Sequence, residues 1–258
     1  ATARGLYMEK GKKNADAKVG NEASSPRAGA LQSALSVELH THYAIRLWEG
    51  RKQSDSNSRS PHEKKRPEII SMPKAIQRAG VASRDSAADN PYADMVLVKL
   101  ETTINSASTK ISKILNELDV ILTAIPKGIT LSDIASAHPL NISVYSRSPL
   151  GYRCVWLLVG YDQLAMKSFQ AFHYGMISRA QRDQYLNRGG HAVRQVYGAI
   201  QPYYTVAVNR SDIINLTARG KEALARLGEP DPDIFSGKKR SSFSSPLREH
   251  SVRQSEKS

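Results

Sequence analysis

Residues 151–160 read GYRCVWLLVG, and the assignment of this stretch decides the fold. Its β-branched, aromatic and leucine side chains favour a strand over residues 152–159, ended by Gly160. Downstream, Asp162 is placed to cap a helix running to about Met176, with Leu164, Ser168, Ala171, Phe172 and Gly175 on one side. Ser178 with Gln181 three residues on is the capping-box pattern of a second helix. The Gly189-Gly190 pair stops that helix, and residues 191–200 read as a further short one. The unit is strand, helix, tight turn, helix.

Upstream, Leu35, Val37 and Leu39 alternate with Ser36, Glu38 and His40, as in a half-buried strand. Thr41 then caps a helix over residues 42–49, with Gly50 as its stop. Residues 51–66 are charged and serine-rich, a flexible loop. Met72-Pro73 opens a short helix ending at Gly80, and residues 81–89 are a second flexible connection. Residues 91–125 form the longest element. Leu97, Leu100, Ile104, Ala107, Ile111, Ile114, Leu118, Ile121 and Ile125 recur in steps of three and four, a heptad seam about 50 Å long at 1.5 Å per residue. That seam serves either pairing with a second copy or packing within its own chain. Val96, Val98, Leu115 and Leu122 widen it, as on a globular helix.

Residues 129–137 read as a short helix or turn, and residues 141–145 as a strand. The turn Ser148-Pro149-Leu150-Gly151 joins that strand to residues 152–159 as a hairpin. Residues 203–208 suit a last strand, and Ser211 or Asn209 caps a helix to about Leu227. The expected fold class is α+β: a small antiparallel sheet, a strand-helix-helix unit and one long amphipathic helix. A single domain spans residues 35–235, between disordered basic segments at 1–34 and 236–258.

The 258 residues are 40% hydrophobic, enough for a real core, and carry a net charge of +13. Such an excess suits a polyanion, most commonly nucleic acid; the alternative is that it sits in the polar ends and only aids solubility. Cys154 is the only cysteine, which excludes an internal disulfide and a cysteine-rich zinc site and fits a reducing, cytoplasmic setting. No apolar run approaches the roughly 20 residues of a membrane helix, so no membrane partner is expected. The chain opens on Ala1 without a hydrophobic signal core, and a start at Met8 or upstream is expected.

A basic stripe of Lys167, Arg179, Arg182, Arg188, His191 and Arg194 runs along residues 160–200. Arg179 and Arg182 stand in the first turn of a capped helix, where free backbone N–H groups attract phosphate and guanidinium groups add bidentate contacts. Arg188, His191 and Arg194 flank the double glycine, which lets a partner's backbone approach. The competing readings are a solvated helix face and, for Arg188, a cation opposing a helix dipole. No catalytic constellation accompanies the stripe. His40-Thr41-His42 lacks a third metal ligand, and no lysine and hydroxyl follow Gly189-Gly190 as in a phosphate loop. No metal, cofactor or enzymatic activity is expected. Trp48 and Trp156 read as core anchors.

Six segments carry a family resemblance: LHTHYAIRLWEGR (39–51), EIISMPK (68–74), DNPYAD (89–94), PLGYRCVWLLVGYDQL (149–164), GGHAVRQVYG (189–198) and the C-terminal PDPDIFSGKKR (230–240). In this order and spacing the chain resembles the integrating conjugative element protein family, which belongs with the AcaB-like transcriptional regulators of conjugative elements. The resemblance implies a homodimeric regulator of transfer genes that binds double-stranded DNA through a ribbon-helix-helix element. That element pairs one strand from each protomer and lays the ribbon in the major groove. Residues 152–159 depart from it: only Arg153 is charged, and its face continues with Val155, Leu157 and Val159. The first strand offers the more polar face, with Ser36, Glu38, His40 and His42. A rival reading is a non-catalytic accessory or structural protein of the transfer machinery, joined through the 97–125 helix.

Overall fold

Each helix begins where a short polar side chain closes its first turn. The computed structural model describes residues 33–52 and 67–247. They form, in order, β1 (Leu35–Leu39), α1 (His42–Glu49), α2 (Met72–Ala87), α3 (Pro91–Thr123), β2 (Leu140–Val144), α4 (Pro149–His173), α5 (Arg179–Ile200), α6 (Arg210–Ile214), α7 (Ala218–Leu227) and α8 (Pro232–Phe235). Thr41, Ser71, Asn90, Ser148, Ser178, Asn209, Thr217 and Asp231 cap the eight helices in turn, each accepting from a backbone N–H of the first turn. Such a side chain satisfies one of the donors a helix leaves orphaned. At α5 the Ser178–Gln181 capping box closes in both directions.

The fold is α+β and mostly helical. β1 and β2 pair antiparallel as a two-stranded sheet, with Ser36 opposite Ser143 and Glu38 opposite Asn141. The sheet therefore joins two distant parts of one chain. Residues 152–159 are not its second strand. They are the first turns of α4, capped by Ser148 with Pro149 behind it, and Leu150, Cys154, Leu157, Leu158, Tyr161, Leu164, Ala165 and Ser168 are buried at helical spacing. A short apolar run fits a buried helix as well as a buried strand. In α4 the period-3.6 burial continues through Gly160, which has no stop role. The expected ribbon-helix-helix built on residues 152–159 is thereby replaced: a strand-helix-helix order persists, but as β2, α4 and α5.

α3 is the centre of the molecule. It packs against α2, α4 and α5, and Leu97, Leu100, Ile104, Ala107, Ile111, Ile114 and Leu118 are all buried within the chain. The heptad seam is thus used internally, and its wider stripe is that of a core helix. Burying a leucine or isoleucine side chain contributes about 1.5–3 kcal/mol each before entropy is counted.

Other expectations change as well. α2 does not stop at Gly80 but runs to Ala87, so residues 81–89 are helix and cap rather than a flexible connection. α5 does not stop at Gly189-Gly190. A Cβ at Gly189 would lie 2.8 Å from a Tyr161 ring carbon and 3.0 Å from Leu164, so the missing side chain brings α5 close to α4. Residues 203–208 form no strand, and the last long helix is two, α6 and α7, broken at Leu216, whose φ is 49°. Residues 238–247, expected to be part of a mobile tail, rest on α3: Arg240 reaches Asp94 and the Ser242 backbone N–H donates to Glu101 at 2.9 Å. Residues 129–137 hold no regular element. The expectations for residues 1–32, 53–66 and 248–258 lie outside the described residues.

Candidate nucleic-acid interface

The inner face of α5 is fixed by its packing. Leu186, Gly189, Ala192, Val193, Val196, Tyr197 and Ile200 are buried. Two tyrosines tie neighbouring helices to it: Tyr161 of α4 donates to the Leu186 carbonyl at 3.0 Å, and Tyr197 donates to Leu47 of α1 at 2.7 Å. Burial pushes the Tyr161 hydroxyl up to about 12, against the pull of the Arg194 guanidinium, so at neutral pH it stays a donor. Desolvation raises Tyr197 in the same way. The outer face is consequently well placed.

At about 100° per residue, Arg188, His191 and Arg194 fall within an arc of about 120° on that outer face. All three are exposed. Arg179 is exposed in the first turn. Among the described residues none of these four has a carboxylate within 4.0 Å. The structure separates the other two candidates from them. Arg182 turns inward: it pairs with Asp183 at 2.7 Å and lies over the rings of Phe172 and Phe169, at 4.6 and 5.3 Å. Its charge is taken up by a carboxylate and cation–π contacts. Lys167 pairs with Asp119 of α3. Glu117, two residues before Asp119, lies on nearly the opposite side of α3 and meets Tyr185 of α5. α3 therefore stands between Lys167 and the outer face of α5, and no single surface holds all six candidates.

Sequence reasoning missed two lysines. Lys110 of α3 donates to Gln195 of α5 at 3.3 Å, and Lys113 lies one turn along, exposed. Their signal was present in the 91–125 periodicity, since both fall on the polar side of its stripe. The polar face expected of the first strand continues across the sheet: Ser36, Glu38, Asn141 and Ser143 are exposed, while Val37, Leu39 and Val144 turn inward.

The residues around this face are poor in reactive chemistry. Burial pushes the Cys154 thiol up to about 12, which leaves it protonated at neutral pH. His40 accepts the Ser136 N–H at Nδ1, while Thr41 caps α1 and donates its hydroxyl to Asp162 at 2.6 Å. The His-Thr-His segment thus anchors the end of β1 to α4. Among the described residues no group of three or more His, Cys, Asp or Glu is placed to hold a metal ion. None of their helices is long and apolar enough to cross a membrane. Trp156, expected in the core, is 60% exposed on the outer side of α4, whereas Trp48 packs against the core.

Comparison with known proteins places the chain. A crystal structure of selenomethionine-containing AcaB from uropathogenic E. coli is similar at 12% identity with a TM-score of 0.49, over 87% of this chain and 97% of that one. No curated protein sequence matches. The profile of the family described as "Transcriptional regulator AcaB" matches residues 27–248, nearly the whole chain, from before β1 to beyond the segment resting on α3. This chain belongs to the AcaB family of transcriptional regulators.

Proposed function

We propose that the protein regulates transcription of conjugative-element transfer genes, without catalysis, by binding double-stranded DNA through the outer face of α5. The observation that carries this reading is the condition of Arg188, His191 and Arg194: exposed, on one arc, with no carboxylate within 4.0 Å among the described residues. Cations left unneutralised on a rigid helix are what release counterions from a phosphate backbone. Arg179 adds a cation at the capped start of the same helix, where backbone dipoles also favour phosphate. Phosphate contacts position a protein, while base edges carry sequence. For that second task the β1–β2 ribbon supplies Ser36, Asn141 and Ser143, hydroxyl and amide groups suited to base-edge donors and acceptors. Lys167 and Arg182, engaged within the chain, make no contribution to this reading. A homodimer, placing two such faces on two half-sites, completes it.

Filter binding tests the reading. The wild-type protein is expected to hold promoter DNA of the element at least about a thousandfold more tightly than random duplex at moderate salt. Changing Arg188, His191 and Arg194 together to Gln should weaken binding to both and flatten the salt dependence. Equal affinity of the wild type for promoter and random DNA would end the regulator reading. Light scattering at micromolar concentration checks the dimer.

A further inference from the structure

Helices α3 and α5 pack together and run antiparallel, as two side-chain approaches along them show. Lys110 meets Gln195, and seven residues further along α3 Glu117 meets Tyr185, ten residues back along α5. Between these points the solvent side of the seam carries Lys110 and Lys113 from α3 with Arg188 and His191 from α5, all exposed. Lys110 is bonded to a neutral amide, so its charge is not cancelled. Lys113 and Arg188 have no carboxylate within 4.0 Å among the described residues. Glu117 closes one end of the seam beside Tyr185, whose hydroxyl is pushed up by burial first and by the Glu117 carboxylate second. Asp119 points to the far side of α3 and is held by Lys167.

We infer that this seam is a track for the phosphates of one DNA strand, with Lys110 and Lys113 of α3 as the second rail beside Arg188 and His191 of α5. The inference rests on the DNA-binding reading and adds a helix to it. Seven residues of helix span about 10 Å. That is the axial rise of about three nucleotides of one strand at 3.4 Å each. Four cationic or protonatable side chains over that length, with one acid at the end, match a short run of backbone phosphates. Base edges are not read here, because long lysines on two closely packed helices reach outward to charge rather than into a groove. The contribution is therefore the same on any sequence.

The test compares two double variants that lose the same charge: Lys110→Gln with Lys113→Gln, and Lys127→Gln with Lys221→Gln, all four exposed. Full-length proteins are titrated with a labelled promoter duplex and a labelled random duplex across a salt series. The seam variant is expected to lower the slope of log affinity against log salt by about two, one for each phosphate no longer neutralised, and by the same amount on both duplexes. The control pair should leave the slope near that of wild type. A seam variant indistinguishable from the control pair, with wild type still binding duplex, overturns the inference and leaves the α5 reading standing. Absence of duplex binding by the wild type overturns both. Superimposable circular dichroism and thermal melts of the variants and wild type show that a slope change is not a folding defect.

Discussion

Arg210 and Arg188 show the two extremes of one side chain in this molecule. Arg210, at the start of α6, is 1% exposed and every face of it is used. Its guanidinium donates to Asp89 at 2.9 Å, to Asp94 at 2.6 Å and to the carbonyls of Ile234 and Phe235, each at 2.9 Å. Arg188, on α5, stands in solvent without a carboxylate in reach among the described residues. Both count equally in a net charge of +13. The lesson is that total charge gives the sign of a partner, while the partner's surface depends on which cations the fold has already neutralised. Arg210, Arg182, Lys167 and Arg240 are committed inward; Arg179, Arg188 and Arg194 are not.

The sharpest way to break the comparison is at its buried end. Arg210→Met should destabilise the protein by about 3–5 kcal/mol, because it breaks a buried pairing with both Asp89 and Asp94. Urea unfolding followed by circular dichroism measures it. Asp94 keeps Arg240 at 3.4 Å and the Ser86 hydroxyl, which limit the loss. A change below about 1 kcal/mol, the range of exposed pairs, would mean that Arg210 does not fasten α6–α8 to the start of α3.

How far the sequence carried depends on whether a signal was local. The caps were local, and Thr41, Ser178 and Gln181 mark helix starts where the structure has them. The α3 stripe was local too, since periodicity over 33 residues outweighs any single position. Residues 152–159 failed because the run is apolar on its exposed side as well as its buried side: Trp156 is 60% exposed, so hydrophobicity does not mark the face that burial selects. The deciding signal, Ser148-Pro149 as cap and first residue, was read as a turn. Gly80, Gly160 and Gly189 were read as stops, but a glycine inside a helix is also where another element presses close, and only tertiary contacts tell the two apart. The candidate site was half legible. The residue types of α5 were visible; the partners of Lys167 and Arg182 were not, since Asp119 lies 48 residues away in sequence and the Phe169–Phe172 platform depends on α4 folding back along α5.

The inner and outer sides of α5 supply a sharper version of the same contrast, with smaller effects. Gly189→Ala places a Cβ 2.8 Å from the Tyr161 ring, and overpacking costs about 1–3 kcal/mol. The helix propensity of alanine returns about 1 kcal/mol. The net loss should be about 0–2 kcal/mol, read as a lower melting temperature. Gly198→Ala meets nothing within 4 Å and lies on the exposed side of the same helix. It should gain about 0.5–1 kcal/mol, the backbone-entropy advantage alone. Opposite signs for one substitution nine residues apart would show that α5 is held rigidly from within. Equal signs would deny it.

The smallest effect is expected at the exposed end of the comparison. Arg188→Gln with Arg194→Gln should leave stability within about 0.5 kcal/mol of wild type, as for surface substitutions away from caps, pairs and strained backbone. Among the described residues neither guanidinium has a carboxylate within 4.0 Å to abandon, so their removal orphans none of those. On α5 their neighbours three and four residues away include no carboxylate, so no helical ion pair is lost either. The Tyr161 hydroxyl loses the influence that Arg194 exerts on it, but it keeps its bond to Leu186 and is protonated across the neutral range either way. Equilibrium unfolding of the double variant measures the outcome. A loss above about 1 kcal/mol would place these arginines among the groups that hold the fold together, as Arg210 is, and would remove the reason to treat their charge as reserved for a partner.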